Sequence, residues 1–204
     1  VFMGGTSPKP FIVIIAVAVL VAAIVIINRD SLAEKGILPD YINERLKGWL
    51  DKDYDPQGAR WQTNQSLYAI GSGGLFGLGF GNSKQKHLYL PEPQNDFVFS
   101  VVCEELGFIR AFLIMLLFVL LVARGFYIGM HARSRFEAML AMGISFQVGL
   151  QAALNMAVVT NTIPNTGISM PFFSYGGTSL VMLLFEMGII LAISRNGERK
   201  KKNV

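Results

Sequence analysis

Ala111–Ala123 reads AFLIMLLFVLLVA, a run without a single polar side chain. Coiled as a helix at ~1.5 Å per residue, it forms the heart of a membrane crossing. Read outward, the apolar stretch begins at Phe97 and stops at Arg124. Three further runs share its character: Phe11–Ile27, Ala138–Val159 and Leu180–Ile193, the last extended by Gly176–Ser179. The 204 residues are 52% hydrophobic and only 16% charged, with a mean hydropathy of +0.45. That balance excludes intrinsic disorder, and one cysteine excludes a disulfide-built secreted scaffold. The expected fold is all-α and polytopic, with four transmembrane helices over 10–27, 97–123, 138–159 and 176–194.

Charge placement gives the orientation. Nine of the eighteen basic residues lie in the short flanks 1–9, 124–137 and 195–204, whereas the 160–175 loop has none. By the positive-inside rule these flanks and both ends of the chain are cytoplasmic. The 28–96 segment and the 160–175 loop are then extracytoplasmic. The first run is too long for a signal-peptide core and lacks a small-x-small site after it. The chain opens on Val1 and reads as a piece of a longer protein.

The long outer loop carries most of the unusual residues. Ile42, Leu46, Trp49 and Leu50 fall on one face of a helix, which either lies on the membrane surface or packs against the spans. Asp55-Pro56 and Gly58 mark a turn. Gln62–Ile70 is expected as a short helix, stopped by Gly71–Gly74. The alternation of Gly with large apolar residues over Leu75–Gly81 suits a backbone pressed closely against a ligand or another helix. It lacks the lysine of a nucleotide-binding loop. Asp96 stands where a Pro-containing loop meets an apolar helix. It is either that helix's N-cap or a general base at the mouth of a membrane cavity, its pKa raised by partial desolvation.

Glu104, Glu105, Arg110 and Glu186 lie at span depth, where isolated charges are costly, and an Arg110–Glu186 pair is expected. Gln147, Gln151 and Asn155 repeat every four residues on the third span. They form either interhelical hydrogen-bond glue or the wall of a hydrated groove. Cys103 is expected as a small core residue. Ser174, Tyr175, Thr178 and Ser179 place hydroxyls at the outer start of the last helix, which favours an anion such as a lipid pyrophosphate.

Five stretches resemble the SEDS family of peptidoglycan glycosyltransferases, the FtsW, RodA and SpoVE proteins. They are Gln65–Gly74 (QSLYAIGSGG), Gly77–Lys86 (GLGFGNSKQK), Tyr89–Ser100 (YLPEPQNDFVFS), Glu104–Phe108 (EELGF) and Pro171–Gly177 (PFFSYGG). The resemblance is closest to the FtsW/SpoVE branch. It implies a ten-helix fold of which this chain matches the last four helices, so the chain alone is expected to be inactive. It further implies polymerisation of lipid II into glycan strands at the outer face of a bacterial cytoplasmic membrane, for division, shape or sporulation, beside a class B penicillin-binding transpeptidase. Nucleic acid is not an expected partner. In this reading Asp96 is the catalytic base. Glu92, Lys86, Arg60, Gln65, Asn95, Gln151, Asn155 and Ser174 are the substrate-binding candidates, and Lys84 joins Arg60 and Lys86 as a cation for the leaving pyrophosphate. A divalent cation, Mg or Mn, is the one cofactor this chemistry invites. Departures from the family pattern are Arg110 and Asn161, each at a usual Gly, Thr178 at a usual Ser, and the unusual Glu186. The competing functions are a lipid-linked precursor flippase or transporter, motivated by Glu104 and Glu186, and a non-catalytic scaffold for a transpeptidase.

Overall fold

The computed structural model describes residues 9–51, 54, 58, 60–90 and 94–202, with backbone alone at 11, 87, 88 and 196–202. Every regular element among them is a helix. Three helices, Val98–Met130, Arg135–Val159 and Gly177–Arg195, are long and apolar enough to cross a membrane, and a fourth apolar stretch, Ile12–Ile27, is shorter. The protein is a multi-pass membrane protein. It divides into two units, Val1–Trp61 and Gln62–Val204.

In the first unit, α1 (Lys9–Ile27) carries apolar side chains all round, and Ile12 through Leu20 are more than half exposed wherever they are large. A helix apolar on every side suits lipid. After it come α2 (Arg29–Glu34) and α3 (Asp40–Leu50). Of the expected apolar face of α3, Leu46 is buried and Leu50 is exposed. Lys47 on α3 lies 2.9 Å from Asp30 on α2, and Arg29 flanks the same carboxylate at 3.6 Å.

The second unit holds α4 (Trp61–Gly73), α5 (Gln85–Leu88), α6 (Val98–Met130), α7 (Arg135–Val159) and α8 (Gly177–Lys202). Helix α6 continues past the apolar run to Met130, with Arg124 over the ring of Tyr127 at 5.2 Å. The connection to α7 is short because Ser134 and Glu137 form a reciprocal capping box. Small residues bring α6 and α7 together: a Cβ on Gly125 would overlap the Ser145 hydroxyl, and one on Gly149 would meet Val122 at 2.8 Å. One core cluster joins Ile128, Ile144 and Val148 to Leu183, Ile190 and Ile193 of α8. A second gathers Phe97, Phe99, Val101, Val159 and Met170 at the other end. There Ser66 donates to the Val159 carbonyl at 2.8 Å and accepts from Ser100 at 2.6 Å, pinning α4 to both α6 and α7.

Helix α6 is broken at Gly107 (φ 79°, ψ 173°). In an unbroken helix the amides of Phe108 and Ile109 would donate to the carbonyls of Glu104 and Glu105. Instead they donate to Gly74 and Leu75, and the vacated carbonyls accept from Leu78 and Gly79. The Gly-rich loop is thus spliced into the helix's own hydrogen-bond ladder. This fit requires glycine on both sides. A Cβ on Gly77 would collide with the Glu105 carbonyl, and one on Gly107 with the Gly77 amide. Of the two expectations for this loop, close approach to another helix describes what it does.

Candidate functional site

Two loops of the second unit meet at Asp96. One is the lead into α6, Gln94–Phe97; the other joins α7 to α8. Their backbones are laced together. Asn155 Nδ2 on α7 donates to the Asp96 carbonyl and to the Ile168 carbonyl, both at 2.7 Å. Ser174 Oγ donates to the Asn95 carbonyl at 2.7 Å and accepts from the Met170 amide at 2.7 Å. The Tyr175 amide donates to the Gln94 carbonyl at 2.8 Å. The Asp96 side chain is half-buried, and a Cβ on Gly167 would lie 3.4 Å from its Oδ2. The N-cap position of α6 falls on Phe97, one residue beyond Asp96, and no side chain caps there.

Three of the substrate-binding candidates, Asn95, Asn155 and Ser174, therefore converge on the backbone around Asp96. Gln151 stands one turn from Asn155 and donates to the Ser169 carbonyl at 3.0 Å, bracing the same loop. Gln147 donates to Glu186 on α8 at 3.3 Å. All three amides of the polar stripe thus serve as glue between elements. Gln65 is buried on α4 beside the Ser66 pin. Arg60 belongs to the first unit, where its buried guanidinium donates to the carbonyls of Gly48 (2.6 Å) and Asp51 (2.9 Å) at the end of α3. Glu92 and the Asp55-Pro56 turn lie outside the described residues.

The two glutamates at span depth anchor the segment after the Gly-rich loop. Glu104 is 1% exposed and accepts from the Ser83 hydroxyl at 2.5 Å and the Lys84 amide at 3.0 Å. Glu105 lies 3.7 Å from the Lys86 ammonium. Lys86 is thereby held at Glu105, in the second turn of α6, rather than at Asp96 before its start. The expected Arg110–Glu186 pair does not form. Arg110 follows the Gly107 break, which turns it toward the spliced loop, and it donates to the Phe76 carbonyl at 3.2 Å; Glu186 is engaged by Gln147.

The sequence marks Gly167 only as part of an irregular loop and Gln62 only as a helix start, and gives neither of them, nor Asn165, a place at the site. Asn165 accepts from the Gly167 amide at 3.1 Å and donates to Gln62 on α4 at 3.0 Å, fixing the turn that sits against Asp96. The signal was present as Asn165-Thr166-Gly167, a spacing typical of an Asx turn. Among the described residues no three His, Cys, Asp or Glu side chains cluster as a metal site. The two laced loops contain one carboxylate, Asp96. Magnesium-type ions are commonly held by one or two carboxylates together with substrate phosphates, so an ion here would rest on Asp96 and on the phosphates that a substrate brings.

Comparison with known proteins fits this arrangement. Stage V sporulation protein E of Bacillus subtilis (strain 168) is 48% identical over 155 residues, covering 76% of this chain and 42% of that protein. The "probable peptidoglycan glycosyltransferase FtsW" of Coxiella burnetii (strain RSA 493 / Nine Mile phase I) is 42% identical over 200 residues, covering 97% of this chain and 51% of the relative. The chain thus spans about half the length of such relatives. A chain in a solved structure concerning structural coordination of polymerization and crosslinking by a peptidoglycan synthase complex superposes with a TM-score of 0.66. Its identity is 28%, over 92% of this chain and 48% of that one. A family model described as cell cycle protein, that of FtsW, RodA and SpoVE, matches residues 1–199. With nearly the whole chain inside that match, the chain belongs to the FtsW/RodA/SpoVE family.

Proposed function

We propose that this chain supplies the general base and outer-loop platform of an inverting glycosyltransferase that polymerises lipid II outside the cytoplasmic membrane of a bacterium. The observation that carries the reading is the lacing of the Gln94, Asn95 and Asp96 backbone to the α7–α8 loop, which holds the main chain that bears one carboxylate where two loops meet. A positioned base is worth typically 10²–10⁴-fold in rate. The C4 hydroxyl of one lipid II attacks the anomeric carbon of a polyprenyl-pyrophosphate-linked strand. Asp96 takes the hydroxyl proton as the new bond forms, and the pyrophosphate departs from the opposite face. Lys84 is exposed and serves as a cation for that leaving group, with Lys86 held beside it by Glu105. Arg60, whose guanidinium already holds two carbonyls, acts by shaping the end of α3. Glu92 orients the acceptor.

Relatives named as probable peptidoglycan glycosyltransferases and a structural neighbour from a peptidoglycan synthase complex support the same chemistry and a penicillin-binding transpeptidase as partner. In this proposal the 28–96 and 160–175 loops face outward and both ends of the chain are cytoplasmic, as the basic flanks favour. The test is lipid II polymerisation by the full-length protein with its transpeptidase partner. Asp96→Asn is expected to abolish strand formation at an unchanged melting temperature. Retained polymerisation would remove Asp96 from its role.

A further inference from the structure

Arg110 is a cation at the edge of an apolar helix with no acid beside it. It stands at one end of Ala111–Ala123, and Arg124 stands at the other. The fourteen helical steps from one to the other rise ~21 Å, against a hydrocarbon core of ~30 Å. With Arg124 at one boundary, Arg110 falls within reach of the other, its stem able to snorkel the remaining distance. Exposure changes at the same place: Ser100, Glu104, Glu105 and Gly107 are buried in the protein, whereas Phe108, Ile109 and Phe112 are more than half exposed.

None of the acids at span depth pairs with Arg110, and each has another contact. Glu104 is bound by Ser83 and Lys84, Glu105 by Lys86, and Glu186 by Gln147. One guanidinium nitrogen, Nη1, donates to the carbonyls of Phe76 (3.2 Å) and Leu106 (3.5 Å). Nε and Nη2 have no partner among the described residues, so one edge of the fork is open. Around it the spliced loop presents Phe76 at 73% and Phe80 at 89% exposure. Exposed phenyl rings next to a cation suit a segment that dips its apolar side into the membrane boundary. A guanidinium fork matches two oxygens of a phosphate.

We propose that Arg110 and the Phe76–Phe80 loop form a binding site for the phosphate of a membrane lipid. The backbone contact to Phe76 aims the fork, and the aromatic rings bracket the glycerol or prenyl end of the lipid. The site rests on the chain's crossing a membrane and not on glycosyl transfer.

The test uses the full-length protein in phosphatidylcholine nanodiscs doped with phosphatidylglycerol or, separately, with undecaprenyl pyrophosphate. Lipid retained after exchange is counted by native mass spectrometry. Arg110→Gln is expected to weaken retention of at least one of the two probes about tenfold, the loss of one charge-assisted contact. Arg110→Lys, which keeps the charge without the fork, should fall between, and guards against misfolding of the first variant. A loss confined to phosphatidylglycerol assigns the site to bulk phospholipid; one confined to undecaprenyl pyrophosphate assigns it to a carrier lipid. Equal retention of both probes by wild type and Arg110→Gln overturns the proposal. So does displacement of the bound lipid by millimolar inorganic phosphate, which would mark a simple anion site.

Discussion

The buried amide of Asn155, in the last turn but one of α7, holds the carbonyl of Asp96 at 2.7 Å across a separation of 59 residues. With its second hydrogen it holds Ile168, two residues before the core residue Met170. One side chain thus sets the distance between the lead into α6 and the loop that faces it. Removing it would take a donor from two carbonyls at once. Asn155→Ala is expected to cost roughly 1–3 kcal/mol in stability. With Asp96 as the proposed base, the change in the full-length protein should lower kcat more than it raises KM, because the carboxylate is kept while the backbone that carries it loses its tether. The shape of the pH–rate profile should be unchanged, and a shifted profile would argue against a positioning role.

Replacing Gly77 or Gly107 by Ala tests the spliced ladder. Both glycines have positive φ, at 82° and 79°, and at both a Cβ would run into backbone. Each substitution should destabilise by at least ~1–3 kcal/mol, read as a fall in melting temperature in detergent. Gly71→Ala is the control. Gly71 is helical with nothing within 4 Å of its added Cβ, so the change should be neutral or gain up to ~1 kcal/mol. If all three behave alike, the collision geometry is wrong.

Ser66→Ala would leave the buried Ser100 hydroxyl and the Val159 carbonyl without the partner they share. The expected cost is ~1–3 kcal/mol. Because the pin ties α4 to two other helices, Ser100→Ala added to Ser66→Ala should cost less than the sum of the two single changes. Additive losses in a double-mutant cycle would deny the coupling.

Lys47 holds the Asp30 carboxyl below its ordinary value of 3.8 by a direct hydrogen bond, and Asp30 in turn raises Lys47 above 10.5. For Asp30 the folded pKa is the lower one, so its contribution is full above 3.8 and disappears as pH falls through the folded value. For Lys47 the contribution is full below 10.5 and disappears as pH rises through the raised value. Asp30 is exposed and Lys47 only half-buried, so the effect is small and salt-sensitive. The expected result is a small melting-temperature gap between wild type and Asp30→Asn that is flat between these limits, closes in acid, and shrinks with added salt. A gap that widens in acid would contradict the sign.

The four helical runs were legible because a bilayer demands ~20 apolar residues in a row, and Ala111–Ala123 satisfies little else. The Asn161 departure also becomes intelligible. That residue follows the C-cap of α7 with φ 56°, and the Asn161 and Thr162 amides return to Val158 and Ala157. This is the left-handed terminator that Gly usually supplies and Asn tolerates. The break at Gly107 was not legible. EELGF reads as helix, and the cause lies in hydrogen-bond partners thirty residues earlier in the chain. The Arg110–Glu186 pair failed for the same reason. Counting helical turns gives depth, but the break alters the direction in which Arg110 leaves the helix, and that direction decided its partner. Asp96 could be nominated from its position, whereas its neighbours depended on which way two loops close.

The exchange of amides around Gly107 ties the fate of Leu75–Gly79 to that of α6. A stretch rich in glycine would ordinarily fray on its own, releasing its protons to solvent. Here Leu78, Gly79, Phe108 and Ile109 draw on one another's acceptors, so none can open without orphaning the rest. Their deuterium uptake should therefore rise and fall in concert. What looks like slack between two helices behaves as a clasp.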